Sequence, residues 1–199
     1  MALREEDLDR DPLAQFARWF ADARAGGVFE PEAVALATAS ANGTPSARMV
    51  LLKGHDARGL VFFTNYLSRK GRELEENPRA ALLFHWKELG RQVRVEGAVA
   101  RVAREETEAY ARTRGRKSRL SALASPQSEV VASREELDAR VRAVESEHAG
   151  ADVGVADWWG GYRLAPSAWE FWQHGEDRLH DRLRYRAGER GWFIERLAP

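Results

Sequence analysis

The apolar positions near the amino terminus repeat at helical spacing. Leu13, Phe16 and Phe20 recur three or four residues apart, which places them on one face of a helix. Asp11-Pro12 predicts the start of this helix, because aspartate caps free N–H groups and proline suits the first helical position. Gly26-Gly27 predicts its end.

Short apolar runs separated by turn signals follow this helix and are typical of β-strands. Asn42-Gly43 is a strong hairpin signal, and Asn77-Pro78 ends a short helical piece that begins near Lys70. Successive strands joined by short turns favour an antiparallel meander that closes towards a barrel. The strands predicted here cover 33–40, 47–53, 60–65, 80–86 and 92–102.

The pattern changes after residue 102. Helical spacing returns in two segments with a basic, polar connection between them, and a weakly patterned loop precedes renewed β-structure and a closing hairpin. In chain order these parts are helix 105–112, connection 113–128, helix 133–147, loop 147–157 and strands 162–164 and 169–173.

These elements predict a mainly β fold with peripheral helices (α+β), built around an antiparallel barrel of six or more strands. With 199 residues the chain is long enough for one good core. We expect a single domain over 11–199, preceded by a mobile leader over 1–10.

Charge and composition exclude several classes of protein. Lysine plus arginine equals aspartate plus glutamate at 31 each, so no global field favours nucleic acid or acidic membranes. The absence of cysteine excludes disulfides, thiolate metal sites and cysteine nucleophiles. The amino terminus carries no apolar signal core, and no apolar run reaches the length of a membrane span. We expect a cytoplasmic protein without a membrane or nucleic-acid partner.

The segment 178–186 carries a basic side chain at every second position. If it forms a strand, Arg178, His180, Arg182, Arg184 and Arg186 share one face. Such a face is either a solvated edge strand or a site for an anion that also needs a protonatable partner. The many aromatic residues on both sides favour a packed hairpin, in which aligned cations need a compensating anion.

Two further basic clusters lie at strand ends. Arg48 and Lys53 bracket an apolar run, and their odd spacing places them on opposite faces of a strand. A common ligand would therefore need a bulge, a strand end or a second subunit. Ser68 predicts a helix start with Arg69 and Lys70 in the first turn, where cations are unfavourable unless an anion such as phosphate also binds. An ordinary capped helix with solvated basic residues explains that cluster equally well.

Polar side chains in the middle of the chain could also read a ligand. Gln92 lies on a predicted strand, where an amide can read a flat heterocycle or remain merely half exposed. Tyr110, Arg114 and Ser118 are spaced by four and could share one phosphate, although Gly115 makes a continuous helix doubtful. The surrounding basic residues make a nucleic-acid patch a fair competitor.

Several familiar catalytic arrangements are missing from the sequence. The five histidines lack metal-ligand spacing, and we expect no metal site. There is no phosphate-binding GxxxxGK[ST] loop, no strand–GxGxxG–helix unit and no catalytic triad pattern. Side chains cannot accept a hydride, so redox chemistry would require a bound organic cofactor.

Taken together, these segments resemble the pyridoxamine 5′-phosphate oxidase family of FMN-dependent enzymes in vitamin B6 metabolism. The resemblance extends from Asp11 to Pro199, and the order and spacing of its motifs make it specific. The motifs are Arg48-Met-Val-Leu-Leu-Lys53, Phe63-Thr-Asn65, Ser68-Arg-Lys70, Arg91-Gln-Val93, Trp159-Gly-Gly161, Glu170-Phe-Trp-Gln173 and Arg178-Leu-His-Asp-Arg182.

The resemblance implies an FMN-binding split β-barrel that forms a homodimer with FMN at the subunit interface. Arg178 and His180 would be catalytic, over the pyridine ring. The substrate phosphate would be bound by Lys53, Tyr110, Arg114 and Ser118. The implied FMN contacts are Arg48, Met49, Val50, Leu51, Leu52, Lys53, Phe63, Thr64, Arg69, Lys70, Gln92, Gln127, Ser128, Trp172 and Arg182.

The implied activity is the oxidation of pyridoxamine 5′-phosphate and pyridoxine 5′-phosphate to pyridoxal 5′-phosphate, with O₂ as acceptor and H₂O₂ as product. The alternatives are another split-barrel flavin enzyme, such as a phenazine-pathway oxidase or flavin reductase, or a non-catalytic flavin- or nucleic-acid-binding module. Two positions depart from the family. Members of the family have a tyrosine where this chain has Phe63. The implied FMN contact of Phe63 is therefore through its backbone or its ring, not through a hydroxyl. The Arg-x-x-Tyr element that folds over the family's active site has no tyrosine counterpart in 3–8, so no lid role is implied.

Overall fold

The computed structural model describes residues 2–189 and 191–199, and these residues form nine β-strands and five α-helices. None of these helices is both long enough and apolar enough to cross a membrane. The helices are α1 (Pro12–Ala25), α2 (Arg69–Glu76), α3 (Arg104–Thr113), α4 (Arg116–Ala124) and α5 (Arg134–Glu147). The strands are β1 (Ala33–Ala39), β2 (Pro45–Leu51), β3 (Gly54–Asp56), β4 (Gly59–Asn65), β5 (Arg79–Trp86), β6 (Arg91–Arg101), β7 (Trp159–Gln173), β8 (Asp181–Gly188) and β9 (Gly191–Arg196).

Helix α1 forms where the sequence predicts it and supplies one wall of the core. The Asp11 carboxylate accepts a hydrogen bond from the Leu13 N–H at 3.0 Å, so the predicted cap is confirmed. The Phe16 ring is fully buried and lies 5.0 Å from the Phe84 ring and 5.5 Å from the Trp169 ring. Burial of one such side chain contributes about 2–3 kcal/mol, which holds α1 against β5 and β7.

The strands form one antiparallel sheet in the order β2-β1-β5-β6-β7-β4-β3, and β8 and β9 extend it from β7. The Lys53 N–H donates to the Val61 carbonyl at 2.8 Å, which brings the end of β2 back to β4 and curves the sheet towards closure. The first half of β7 pairs with β4 and its second half with β8. The predicted antiparallel, mainly β architecture is confirmed.

The hairpin predicted at Asn42-Gly43 joins β1 to β2. Gly43 has a φ of +85°, a conformation that favours glycine. The Asn42 side chain accepts a hydrogen bond from the Thr44 N–H at 3.1 Å, which stabilises the turn. Ala39 and Pro45 are the register partners nearest this turn.

The connection predicted over 113–128 is wrong, because this stretch contains α4. Gly115 interrupts the preceding helix, as its flexibility indicated, but the chain becomes helical again from Arg116. Leu120 and Ala124 are four residues apart and buried, so an apolar stripe anchors this short helix. The many polar residues around the stripe hid it from the sequence pattern.

The expectation of one strand over 178–186 is also wrong. Strand β8 begins only at Asp181, and Glu176–Arg178 form a 3₁₀ turn in which Arg178 has a φ of +63°. Arg178 therefore does not continue the alternating face. The β8 cations do have a compensating charge, since Arg182 and Arg184 pair with protein carboxylates rather than being left to a ligand.

Residues in the amino-terminal leader contact the closing hairpin. The Leu3 N–H donates to the Asp181 carboxylate at 2.8 Å, and Arg196 donates to the Glu5 carboxylate at 2.9 Å and to the Leu3 carbonyl at 2.8 Å. The mobility expected for 1–10 stays a prediction.

Candidate functional site

A cleft of about 660 Å³ lies where β2, the end of β4, the start of α2, the end of α3 and α4 meet. Its lining contains five cationic side chains and, among the described residues, no carboxylate. The residues predicted from the sequence that line it are Arg48, Met49, Val50, Leu51, Lys53, Phe63, Thr64, Lys70, Tyr110, Arg114, Ser118 and Gln127.

Arg48 and Lys53 both line this cleft although their spacing is odd. Strand β2 ends at Leu51, so its alternation stops before Lys53 is reached. Leu52 turns into the core, where it is 6% exposed, and it is not part of the lining. A strand end, one of the solutions that the spacing allowed, therefore brings the two cations to one cavity.

A buried lysine lies at the start of α2. Lys70 is 8% exposed, and its Nζ donates to Gln127 Oε1 at 2.9 Å, Thr64 Oγ1 at 3.1 Å and Ser68 Oγ at 3.3 Å. All three partners are neutral. Burial, together with repulsion from Arg48, lowers the pKa of Lys70 to about 8. A cation in such surroundings is well suited to an anionic ligand.

Glu73, one turn further along α2, holds two arginines in place. It is buried and accepts hydrogen bonds from Arg69 Nε at 2.9 Å and Arg48 Nη2 at 3.2 Å, as well as from Thr38 and Ser46. Burial would raise the pKa of Glu73, but these hydrogen bonds outweigh burial and lower it to about 2. The guanidinium of Arg48 is thereby fixed at the wall of the cleft.

Ser128 lies beside this helix start rather than in the cleft lining. Its Oγ accepts a hydrogen bond from the Arg69 N–H at 3.1 Å, and its own φ of +76° marks a tight turn. Ser68 caps α2 through its Oγ, which accepts from the Gly71 N–H at 3.3 Å, so the predicted helix start is confirmed. Arg69 also does not line the cleft.

Aromatic rings form the opposite end of the cleft. The Phe63 ring stacks on the Tyr110 ring at 3.9 Å and on the Trp159 ring at 5.6 Å. The Arg114 guanidinium lies 4.8 Å from the centre of the Trp159 ring, a cation–π arrangement. Burial raises the pKa of the Tyr110 hydroxyl and lowers that of Arg114. Ser118, in the first turn of α4, completes the predicted trio in one cavity.

The sequence interpretation missed several lining residues. Most belong to α4 and its end, and Lys117, Ser121 and Ser125 recur at intervals of four, which is the signal that could have revealed this helix. The residues missed as ligand contacts are Asn65, Lys117, Ser121, Ala122, Ser125 and Trp159.

The other predicted residues form a second cluster away from the cleft. Gln92, Trp172 and Arg182 are register partners across β6, β7 and β8, so they form a row across the sheet. The His180 ring lies 4.7 Å from the Trp172 ring, and Arg178 is in the adjoining turn. None of these five residues lines the cleft.

The long strand β7 separates the two clusters. Gly160 pairs with Thr64 at the cleft, and Trp172 lies 12 residues further along the strand. At ~3.3 Å per residue this is roughly 40 Å of strand. The two clusters are therefore separated by most of the length of β7.

Hydrogen bonds fix the orientation of His180 and Arg182. The Gly175 N–H donates to Nδ1 of His180 at 3.2 Å, so the neutral ring carries its hydrogen on Nε2. Nε of Arg182 donates to the buried Glu170 at 2.8 Å, and that carboxylate also accepts from Arg94 at 2.7 Å. Within the described residues, no group of three or more histidine or acidic side chains is placed to hold a metal ion.

Comparisons with known proteins match most of the chain to a family of oxidases. Residues 21–148 match the family model described as pyridoxamine 5′-phosphate oxidase, and residues 159–199 match the pyridoxine 5′-phosphate oxidase C-terminal dimerisation region. A pyridoxine/pyridoxamine 5′-phosphate oxidase of Rubrobacter xylanophilus is 54% identical over 197 residues, covering 99% of this chain and 91% of that protein. One of Acaryochloris marina is 50% identical over 198 residues, covering 100% and 90%.

Solved structures agree with the fold. PhzG from Burkholderia lata 383, in complex with tetrahydrophenazine-1-carboxylic acid, superimposes with a TM-score of 0.92 at 34% identity, covering 100% of this chain and 98% of that one. An FMN-binding, pyridoxamine 5′-phosphate oxidase-related protein from Nostoc punctiforme gives a TM-score of 0.73 at 18% identity, covering 94% and 96%. The split β-barrel expected from the sequence is confirmed.

Proposed function

Since this chain belongs to the pyridoxamine 5′-phosphate oxidase family of oxidoreductases, we propose that it oxidises pyridoxamine 5′-phosphate and pyridoxine 5′-phosphate to pyridoxal 5′-phosphate. O₂ would be the final acceptor and H₂O₂ the second product, in the synthesis and salvage of vitamin B6 in the cytoplasm. The observation that carries this proposal is the cleft with two separate groups of phosphate-type donors, one at α2 and one at α3 and α4.

The α2 end of the cleft fits the phosphate of FMN. Lys70 offers a buried cation whose present partners are neutral, and Arg48 stands beside it, fixed by Glu73. Thr64 and Gln127 supply further polar groups. The β2 wall from Met49 to Leu51 could lie along the flavin. When bound, FMN would supply the two-electron acceptor for oxidation at C4′ of the substrate.

The other end of the cleft fits the phosphate of the substrate. Lys53 and Arg114 supply charge, and Tyr110 and Ser118 supply hydroxyl donors. With the two phosphates held at separate ends, the flat rings between them would be kept face to face. Such positioning lowers the entropic part of the barrier.

The second cluster completes this site only if it comes from another chain. The match to a dimerisation region over 159–199 supports a homodimer. In our proposal, the row formed by Gln92, Trp172 and Arg182 contacts the flavin in the cleft of the partner protomer. This arrangement fits the finding that Gln92, Trp172 and Arg182 do not line the cleft of their own chain.

Arg178 and His180 would then lie over the pyridine ring. The Nε2–H of His180 is available to donate to the substrate, because Nδ1 already accepts from the Gly175 N–H. The guanidinium of Arg178, on an exposed turn, can stabilise the charge that develops as C4′ is oxidised. Both residues act on the ring and not on either phosphate.

The residues of the cleft fit the proposed function better than its rivals. A phenazine-type oxidase would act on an aromatic carboxylate, whereas the residues assigned here to the substrate phosphate offer two cations, Lys53 and Arg114, and the hydroxyls of Tyr110 and Ser118. A nucleic-acid module would present its basic residues outward, but Arg116 and Arg119 are occupied by the loop before β7.

An absorbance spectrum of the purified protein, taken before and after anaerobic addition of pyridoxamine 5′-phosphate, tests the proposal. We expect a flavin spectrum that bleaches on addition. A flavin that bleaches only with a phenazine-type substrate would contradict it, as would a colourless protein that binds DNA in a salt-sensitive manner.

A further inference from the structure

The basic run 112–119 divides into structural and cleft-facing residues. Arg116 donates to the carbonyls of His148 and Ala151, each at 2.6 Å, and Arg119 donates to the Asp152 carboxylate at 2.9 Å and to the Val153 carbonyl at 2.7 Å. These two arginines therefore fasten α4 to the segment before β7.

Lys117 lies between them and has a different environment. Its side chain lines the cleft together with Arg114 and Ser118. Within 2–189 and 191–199 it makes no hydrogen bond or ion pair, and no acidic side chain lines the cavity to offset its charge. Lys117 is exposed in the first turn of α4, where a cation is unfavourable for the helix dipole.

We propose that Lys117 is a further substrate-binding residue, the third cation of the phosphate end beside Lys53 and Arg114, and that it makes the cleft selective for phosphate esters over carboxylates. This inference rests on the proposed function. A phosphate ester carries a charge of about −1.5 to −2 at pH 7 and three acceptor oxygens, whereas a carboxylate carries a single charge. Each added cation therefore favours the phosphate more strongly. The relative solved with a carboxylic acid ligand marks the class of substrate that this residue would select against.

The test compares Lys117→Gln with Arg112→Gln in the flavin-loaded enzyme. Arg112 belongs to the same basic run and is exposed, but it does not line the cleft, so its variant removes the same charge elsewhere. For K117Q we expect KM for pyridoxamine 5′-phosphate and the inhibition constant of inorganic phosphate to rise about five- to tenfold, with kcat changed less than about twofold. R112Q should match the wild type.

Raising the salt concentration should increase KM less for K117Q than for the wild type, because the screened interaction is already lost.

Unchanged constants in K117Q would overturn the inference, and so would equal effects in both variants, which would indicate only a general field. A wild-type enzyme that fails to oxidise pyridoxamine 5′-phosphate would instead contradict the proposed function. Equilibrium binding of pyridoxal 5′-phosphate, compared with unphosphorylated pyridoxal, would still decide the role of Lys117. The phosphorylated compound alone should bind K117Q more weakly.

Discussion

Replacing Lys70 with methionine should separate the stability of the fold from its affinity for FMN. The lowering of the Lys70 pKa from 10.5 to about 8 means that the fold disfavours the protonated side chain by about 3 kcal/mol. Methionine removes this penalty and also the three hydrogen bonds of Nζ, while Thr64 Oγ1 can still donate to Gln127 Oε1 at 3.2 Å. We expect ligand-free K70M to be at least as stable as the wild type at pH 7, with a gain of up to about 2 kcal/mol.

The pH dependence of this difference follows from the direction of the pKa shift. Between pH 8 and 10.5 the unfolded wild type binds the Lys70 proton and the folded protein does not, so the stability of the wild type rises with pH in this window. Below pH 8 the penalty is present in full. The advantage of K70M should therefore shrink from pH 8 to pH 10.5.

The affinity for FMN should change in the opposite sense. A phosphate near Lys70 restores the charge that the fold disfavours, and loss of one charge-assisted contact should weaken FMN binding about tenfold to hundredfold. Wild-type affinity should also fall as pH rises above 8, because binding then requires uptake of a proton, and K70M should lack this dependence. Urea unfolding of the flavin-free proteins and flavin fluorescence titration measure the two quantities.

Lys87→Met is the matched control, since Lys87 is exposed on a 3₁₀ turn and does not line the cleft. It should change neither quantity. The reasoning would be refuted if ligand-free K70M were less stable than the wild type by more than about 1 kcal/mol at pH 7. A difference in stability that stays constant from pH 7 to pH 10 would refute it equally.

Three further predictions concern other parts of the proposed site. Arg178→Ala and His180→Ala should lose turnover while FMN stays bound, and loss of flavin in both variants without a specific effect on turnover would contradict their role. Ser68→Ala should destabilise the fold by about 1 kcal/mol in thermal or urea unfolding, because it removes the cap of α2. Glu170→Gln should lower the free energy of unfolding by about 2 kcal/mol and weaken FMN binding, because Arg182 loses its carboxylate partner. Unchanged FMN affinity would show that this pairing is only structural.

Local sequence signals predicted most of the fold because the chain follows them closely. The cap at Asp11 and the turn at Asn42-Gly43 each depend on neighbours within a few residues, and both form as expected. Helix α4 was missed because only Leu120 and Ala124 carry its apolar stripe. A pattern of two buried positions is too short to stand out from a polar background.

The turn before β8 was missed for a different reason. Alternation over 178–186 is compatible with a strand, but Arg178 adopts a left-handed conformation that an arginine does not predict. Such a conformation costs about 1–2 kcal/mol for a residue other than glycine and persists only where surrounding structure imposes it. The Gly175–His180 hydrogen bond closes this turn and sets the ring of the proposed catalytic histidine. The failed strand prediction therefore coincides with a proposed catalytic element.

The distribution of the proposed site over two chains explains why the single sequence looked ambiguous. Each cluster contains a buried carboxylate that clamps two arginines, Glu73 beside the cleft and Glu170 beside Trp172. A carboxylate buried with two guanidinium groups fixes their positions before any ligand arrives, at a cost in desolvation that simple stability would not require. In the proposed dimer neither cluster alone is a complete site, and dimer formation becomes a condition for placing Arg178 and His180 over the substrate ring. Dilution to monomer should therefore abolish turnover in proportion to the loss of dimer, even at saturating FMN.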